Sequence, residues 1–466
     1  MEKYLYRFRS VSNLLKRREL EDSYIHFAAP EKLNDPLEGH REAFWSGDHI
    51  VWENLFRHYL LCLLKRGFQY LIDEEGFSEK NFPIHASTLD IPAEIRSNAT
   101  ELLKEFLQNC NIRKHIEILS HGSRKVYAPE LRLHLRSVQP LALKLISGLL
   151  VKQGALPENY KLTKITNEKL LLTSTNLIEF DRAQLLENSE RDSNQYRLAI
   201  YSLESADLIR SYKSWSESKS GKWSMLAVSF PDDYVLNLKA LYLPKWYAAC
   251  FMESPHNSSI WGTYGENHRA VCLKFKVNDT GHLGTYSIDL TYKSESSISQ
   301  KQPFSFTKIT YSESTLEIDF FKSISIYPYS KLIKDWFTDE NGNLSKSAGH
   351  ITKDIESWRK NYYEEHQKSI NTKLADWSGE TEYRISITSL LDMFDLPENR
   401  SLNYEFNALD GIIFGINTPA EEKYLLMQVA EALCKRYDRK EFNFYQSYFD
   451  TDAAKIKYRP LLVVTS

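Results

Sequence analysis

The chain has 466 residues, a formal net charge of −3, and is 42% hydrophobic and 26% charged. That composition excludes a disordered chain. The near balance of charge excludes a wholesale polyelectrolyte partner, though local basic patches stay possible. The length calls for two or three compact units, or one core with a large insertion.

Residues 4–9 alternate, with Tyr4, Tyr6 and Phe8 on one face and Leu5, Arg7 and Arg9 on the other, which predicts a first strand. A short helix follows from about Ser12, and a strand over 24–29 ends at Pro30, which cannot donate to a ladder. Asn34-Asp35-Pro36 then predicts a turn, because Asn and Asp side chains hydrogen-bond the following backbone and proline holds its predecessor extended. Glu38 is thereby presented from a rigid polar corner, where sites tend to lie.

From about 50 to 215 the pattern becomes helical. Trp52, Leu55, Phe56, Tyr59, Leu60 and Leu63 repeat at helical spacing, as do Leu141, Leu145, Leu149 and Leu150, and a further tract covers 167–188. Strand texture returns near 225–230. A short helix and turn over 256–269 precedes an alternating strand at 270–277, and a loop rich in Ser, Thr and Lys is expected over 293–315. A charged helix starts near Ser347, strands are expected at 382–387 and 411–416, and Thr418-Pro419-Ala420-Glu421 has the pattern of a Thr-capped helix start with a capping box. Strands at 442–448 and 456–461 close the chain. Strands at both ends around a helical middle predict an α+β fold with a mixed or antiparallel sheet. Its core is drawn from 1–49 and 225–466, interrupted by a helical insertion at 50–224.

The cysteines Cys62, Cys110, Cys250, Cys272 and Cys434 form no C-x-x-C pair, which argues against structural zinc and for reduced thiols. The N-terminus lacks the apolar core of a signal peptide. No apolar run nears the roughly 18 residues of a membrane span. A cytoplasmic protein that makes no use of a membrane is expected.

Three stretches have the residue types for chemistry. In Glu380-Thr381-Glu382-Tyr383-Arg384 an extended chain puts Glu380, Glu382 and Arg384 on one face, two carboxylates and a guanidinium in line. Trp261 and Tyr264, three apart near His268, share one side of a helical turn and could sandwich a planar ring. Arg7 and Arg9 could hold a pyrophosphate bidentately. Each pattern also occurs in ordinary folds, as a paired surface face, core aromatics or a cross-strand ion pair. Residues 113–136, with Arg113, Lys114, Arg124, Lys125, Arg132 and Arg136 against Glu117 and Glu130, read either as a nucleic-acid track or as a solvated helix face.

Tyr6-Arg7-Phe8-Arg9-Ser10, Phe27–Pro30 with Leu33–Gly39, Trp261-x-x-Tyr264 leading to His268–Phe275, Trp377 with Glu380–Ile385, and Ile412–Gly415 together resemble a large bacterial domain-of-unknown-function family that includes AbiGi-type abortive-infection proteins. The resemblance spans roughly 4–44 and 225–460 and implies a role in phage defence or toxin systems. A further resemblance is to ADP-ribosyltransferases, which place Arg or His on a first strand, Ser/Thr or an aromatic in the middle, and Glu, often as E-x-E, on a late strand. It implies NAD as substrate and a nucleic-acid or protein acceptor. Glu382 would be the catalytic carboxylate with Glu380 and Arg384 in support. Arg7 or Arg9 would hold phosphate, Trp261, Tyr264 and His268 would hold the ring, and Asn34, Asp35 and Glu38 would orient substrate. No metal is expected in that scheme. The segment 33–39 has no counterpart in it. Two other readings stand beside it. One is a Mg²⁺ nuclease built on Asp35, Glu38, Glu380 and Glu382, although no D…E-x-K pattern is present. The other is a sensor that binds an antitoxin or defence partner through the helical insertion.

Overall fold

The alternating N-terminal residues form strand β1 (Lys3–Arg9) in the computed structural model, which describes residues 2–35, 37–72, 82–122, 124–157, 176–183, 193–216, 225–281, 284–293, 299–388 and 393–465. Pro36, part of the expected turn, and most of the 167–188 tract lie outside these residues. The other strands of the first half are β2 (Tyr24–His26), β3 (Arg41–Trp45), β4 (Val126–Tyr127) and β5 (Trp246–Met252). Then come β6 (Val271–Asp279), β7 (Tyr286–Lys293), β8 (Ser299–Lys308), β9 (Thr310–Ser312), β10 (Leu316–Asp319) and β11 (Thr372–Leu374). The last are β12 (Glu382–Thr388), β13 (Ser401–Tyr404), β14 (Leu409–Phe414), β15 (Glu441–Asp450) and β16 (Lys455–Thr465).

Eleven strands make one sheet in the order β16-β15-β14-β6-β1-β5-β12-β8-β7-β13-β2. Its pairings are antiparallel apart from β14 with β15. The fold is α+β. β1 lies at the centre because its two faces both carry apolar residues. Leu5 joins a core with Phe27, Phe251 and Phe275, while Tyr6 joins Met252, Trp261 and Ile413 on the other side. The helix Ala420–Arg436 buries Leu426, Ala430, Leu433 and Cys434, an i, i+4, i+7, i+8 stripe, against the first of these cores. Its start differs from the expected capping box. Thr418 Oγ1 donates to the Ala270 carbonyl at 3.0 Å, and Pro419 occupies the cap position without a side-chain bond.

The chain divides into two compact units, a sheet unit of Met1–Arg41, Pro244–Leu316 and Glu364–Ser466, and a mainly helical unit of Glu42–Leu243 and Glu317–Tyr363. Against the expected segments, the helical unit runs on to Leu243 and also takes 317–363. Residues 225–230, expected as a strand, are helical, with Met225–Ser229 leading into Phe230–Asn237. A short apolar run does not distinguish strand from buried helix, and Pro231 with Asp232 and Asp233 in the first turn decides for helix. In the other direction, the expected loop over 293–315 contains β8 and β9, and the Ser/Thr/Lys content of β8 suits a strand whose side chains are mostly exposed. Among the described residues no helix is long and apolar enough to cross a membrane.

Candidate active site

Glu38 follows the 3₁₀ turn Pro30–Lys32 and sits before Gly39, whose φ of +66° and contact with the Trp246 ring leave no room for a Cβ. Asp35 is buried and accepts from the Leu37 N–H at 2.9 Å, so it builds the corner rather than facing a ligand. Glu380 ends the 3₁₀ segment Ala375–Glu380, and Thr381 then adopts the left-handed conformation at φ +44° before β12 begins at Glu382. The expected common strand face is thus broken: Glu382 and Arg384 share one face of β12, and Glu380 arrives from a turn. That face is also fully buried rather than exposed.

Burial of three carboxylates requires cations at hydrogen-bond range. Arg384 supplies one, with Nη2 at 2.8 Å from Glu382 Oε1, Nη1 at 2.9 Å from Glu38 Oε2, and Nη1 donating to the Ile370 carbonyl at 2.7 Å. Lys373 on β11 supplies the other. Its Nζ lies 2.7 Å from Glu380, 3.2 Å from Glu38 and 3.5 Å from Glu382, and 4.5 Å from the centre of the Trp377 ring. The Tyr264 hydroxyl donates to Glu380 Oε1 at 2.6 Å, and the Glu382 N–H donates to the Tyr311 hydroxyl at 2.9 Å. Burial alone would raise the Glu382 pKa, but Arg384 and Lys373 outweigh it and hold the carboxyl below its ordinary value. For Glu380 burial wins and the pKa rises, despite Lys373 and Tyr264. Burial and the nearby Glu382 charge push the Cys250 thiol well up, so it stays protonated.

These side chains border a cavity of about 220 Å³ whose wall includes Arg7, Arg9, Asn34, Glu38, Cys250, Tyr264, Lys373 and Glu382. Among the residues singled out in the sequence, Asp35, Trp261, His268, Glu380 and Arg384 lie outside that wall. Trp261 is a core side chain, edge-on to Phe8 at 4.8 Å with Nε1 donating to the Pro255 carbonyl. His268 stacks on Trp261 at 6.1 Å. The expected aromatic sandwich therefore reduces to Tyr264, because helical spacing gives a shared side but not which side meets the core. Arg384 and Glu380 support the wall from behind.

The two arginines of β1 differ. Arg9 is engaged by Glu19 through Nε at 2.7 Å and through Nη2. Arg7 donates from Nη2 to the His26 carbonyl at 2.8 Å and lies over the Phe251 ring at 5.4 Å, while its buried Nη1 has no hydrogen-bond partner among the described residues. Burial, with Arg9 nearby, lowers its pKa to about 10. Lys373 and Cys250 were missed in the sequence. The signal for Lys373 was the charge count, since three converging acids and one arginine require a further cation. Cys250 stood in the apolar run of β5, where nothing marks it out.

The basic residues of 113–136 are largely engaged within the helical unit. Arg124 pairs with Glu130, Lys125 with Glu317, Arg132 with Glu204 and Arg136 with Asp232. Compared with protein-family models, with characterised proteins and with solved structures, the chain finds no match.

Proposed function

We propose that the sheet unit is an ADP-ribosyltransferase-like enzyme that takes NAD as substrate. The observation that carries the reading is the single cavity into which the opening arginines, the turn acid Glu38, Tyr264 and the late acid Glu382 all face. Cleavage of the nicotinamide–ribose bond passes through an oxocarbenium-like state, as glycoside cleavage does. Nicotinamide leaves with the bonding electrons, and an acceptor nucleophile bonds to the ribose carbon and releases its proton. An ionised Glu382 stabilises the developing positive charge and accepts a ribose hydroxyl hydrogen bond. The unpaired Arg7 N–H is a donor for pyrophosphate, Tyr264 stacks on the leaving ring, and Asn34 orients the ribose. Glu380, Arg384 and Lys373 are positioning residues. The acceptor belongs to nucleic acid or protein, and the cellular role in this reading is an anti-phage or toxin-type effector whose helical unit binds a regulatory partner.

The nuclease reading is less well supported, because Lys373 and Arg384 already neutralise the carboxylates a metal would need. The test is incubation with NAD labelled in the ADP-ribose half and a mixture of protein, DNA and RNA. Label transfer that disappears in Glu382→Gln supports the proposal. Transfer that survives Glu382→Gln, or Mg²⁺-dependent nicking without NAD, overturns it.

A further inference from the structure

The helical unit contains a second polar cluster, independent of the sheet-unit cavity. Glu130 and His134 lie one turn apart on the helix Ala128–Lys152, an i, i+4 pair on one face, and Asp181 comes from the helical residues 176–183. All three are buried, and one donor atom from each lies within 4.8 Å of the others. His134 Nε2 is 3.0 Å from Asp181 Oδ2 and 3.9 Å from Glu130 Oε1. With bonds of about 2.0–2.1 Å, donors around a tetrahedral zinc stand about 3.3 Å apart, a value those two distances bracket.

A chain of side chains behind His134 orients its ring. Ser137 Oγ donates to the His134 carbonyl at 2.7 Å and lies 3.2 Å from His115 Nε2. His115 Nδ1 in turn lies 2.8 Å from His134 Nδ1. The ring so held presents Nε2 to two carboxylates, Asp181 Oδ2 and Glu130 Oε1. A ring nitrogen engaged on one side with the other presented to carboxylates is the orientation seen in metal-binding histidines.

We propose that Glu130, His134 and Asp181 form a binding site for a divalent transition metal of the zinc class. The donor set of one imidazole and two carboxylates suits Zn²⁺ or Mn²⁺. Tyr196 donates to the second Asp181 oxygen, and Arg124 pairs with Glu130 and approaches Asp181 at 3.5 Å. Arg124 is the resident counter-ion, and a divalent ion replacing it against the same two carboxylates gives a neutral sum. Glu130 and Tyr196 also border a cavity of about 260 Å³ with Lys125, Tyr127 and Arg197. That cavity supplies an entry path and room for a further ligand on the metal, with cationic side chains suited to an anionic one.

The full-length protein, stripped with chelator, is titrated with Zn²⁺, Mn²⁺ and Co²⁺ and followed by calorimetry, thermal unfolding and the visible spectrum of Co²⁺. Expected are one equivalent bound, a concentration-dependent rise in Tm, and affinity reduced at least about 100-fold in His134→Gln and Asp181→Asn. Ser137→Ala, which cuts the orienting chain, weakens binding about 10-fold. Arg124→Met strengthens metal binding, because it removes the competing cation, and this separates a metal site from a plain ion-pair cluster. Absence of binding, or binding unchanged in His134→Gln and Asp181→Asn, or weakened in Arg124→Met, overturns the proposal.

Discussion

Lys373→Met tests the charge arrangement of the sheet unit most directly. The substitution keeps much of the side-chain volume but removes the ammonium that faces Glu380, Glu38 and Glu382 at 2.7, 3.2 and 3.5 Å. Glu38 and Glu382 keep Arg384, whereas among the described residues Glu380 keeps only the Tyr264 hydroxyl. Removing one partner of a buried pair costs about 3–5 kcal/mol, and the lower end applies because Glu380 can protonate. For a unit of about two hundred residues, about 3 kcal/mol lowers Tm by about 6–12 °C. The pH dependence has a definite sign. Glu380 already has a raised pKa, and without Lys373 it rises further. The group then favours the folded state below its unfolded pKa and opposes it progressively above, so the deficit is full at pH 7 and shrinks toward pH 4–5. Thermal unfolding of both proteins at pH 7 and pH 5 measures this, and Glu380→Gln added to Lys373→Met should restore part of the loss at pH 7. A deficit under about 1 kcal/mol, or one equal at the two pH values, refutes the reasoning.

Two further outcomes follow from single residues. Gly39→Ala combines a left-handed φ of +66° with a Cβ 2.7 Å from the Trp246 ring. It should cost at least about 2 kcal/mol in denaturant unfolding, and Gly39→Asn, better tolerated at that φ, should not be milder because the ring contact remains. His366 is buried beside Arg41, and burial, then Arg41, lowers its pKa from 6.5 to about 4. The unfolded chain therefore binds the extra proton between those values, stability falls by about 3 kcal/mol from pH 7 to pH 4, and His366→Leu should flatten that part of the profile.

What could be read from the sequence was what depends on neighbours along the chain. The alternation at 4–9, the corner before Glu38 and the face shared by Glu382 and Arg384 are set within a few residues. The charge count called for a further cation but did not say that it was Lys373, because β11 pairs with β9 in a separate two-stranded sheet and no local pattern announces that pairing. Glu380 was misplaced because Thr381 takes a left-handed turn uncommon for a β-branched residue. Within 113–136 the positive charges read as a nucleic-acid track or a solvated helix face, either way unpaired within the chain. The buried Asp181 and the half-buried Asp232 that they meet lie 57 and 96 residues along from Arg124 and Arg136, beyond any periodicity argument.

Arg7 separates structure from function most cleanly. A buried guanidinium normally has a carboxylate partner, yet among the described residues no carboxylate oxygen lies within 4.0 Å of it. Its pKa, lowered from 12.5 to about 10, means that holding the charge costs the folded state roughly 3 kcal/mol. The bond to the His26 carbonyl and the Phe251 contact return part of that. A residue retained only for stability would not show this deficit, whereas one that awaits an anion would. Arg7→Met should therefore leave Tm unchanged or raised while weakening NAD or ADP-ribose binding at least about 10-fold, measured by calorimetry. Arg9→Met, which strands the buried Glu19 carboxylate, should lower Tm with a smaller effect on binding. Should Arg7→Met destabilise the protein by more than about 1 kcal/mol with ligand affinity intact, Arg7 is a packing residue and the phosphate role assigned to it is wrong.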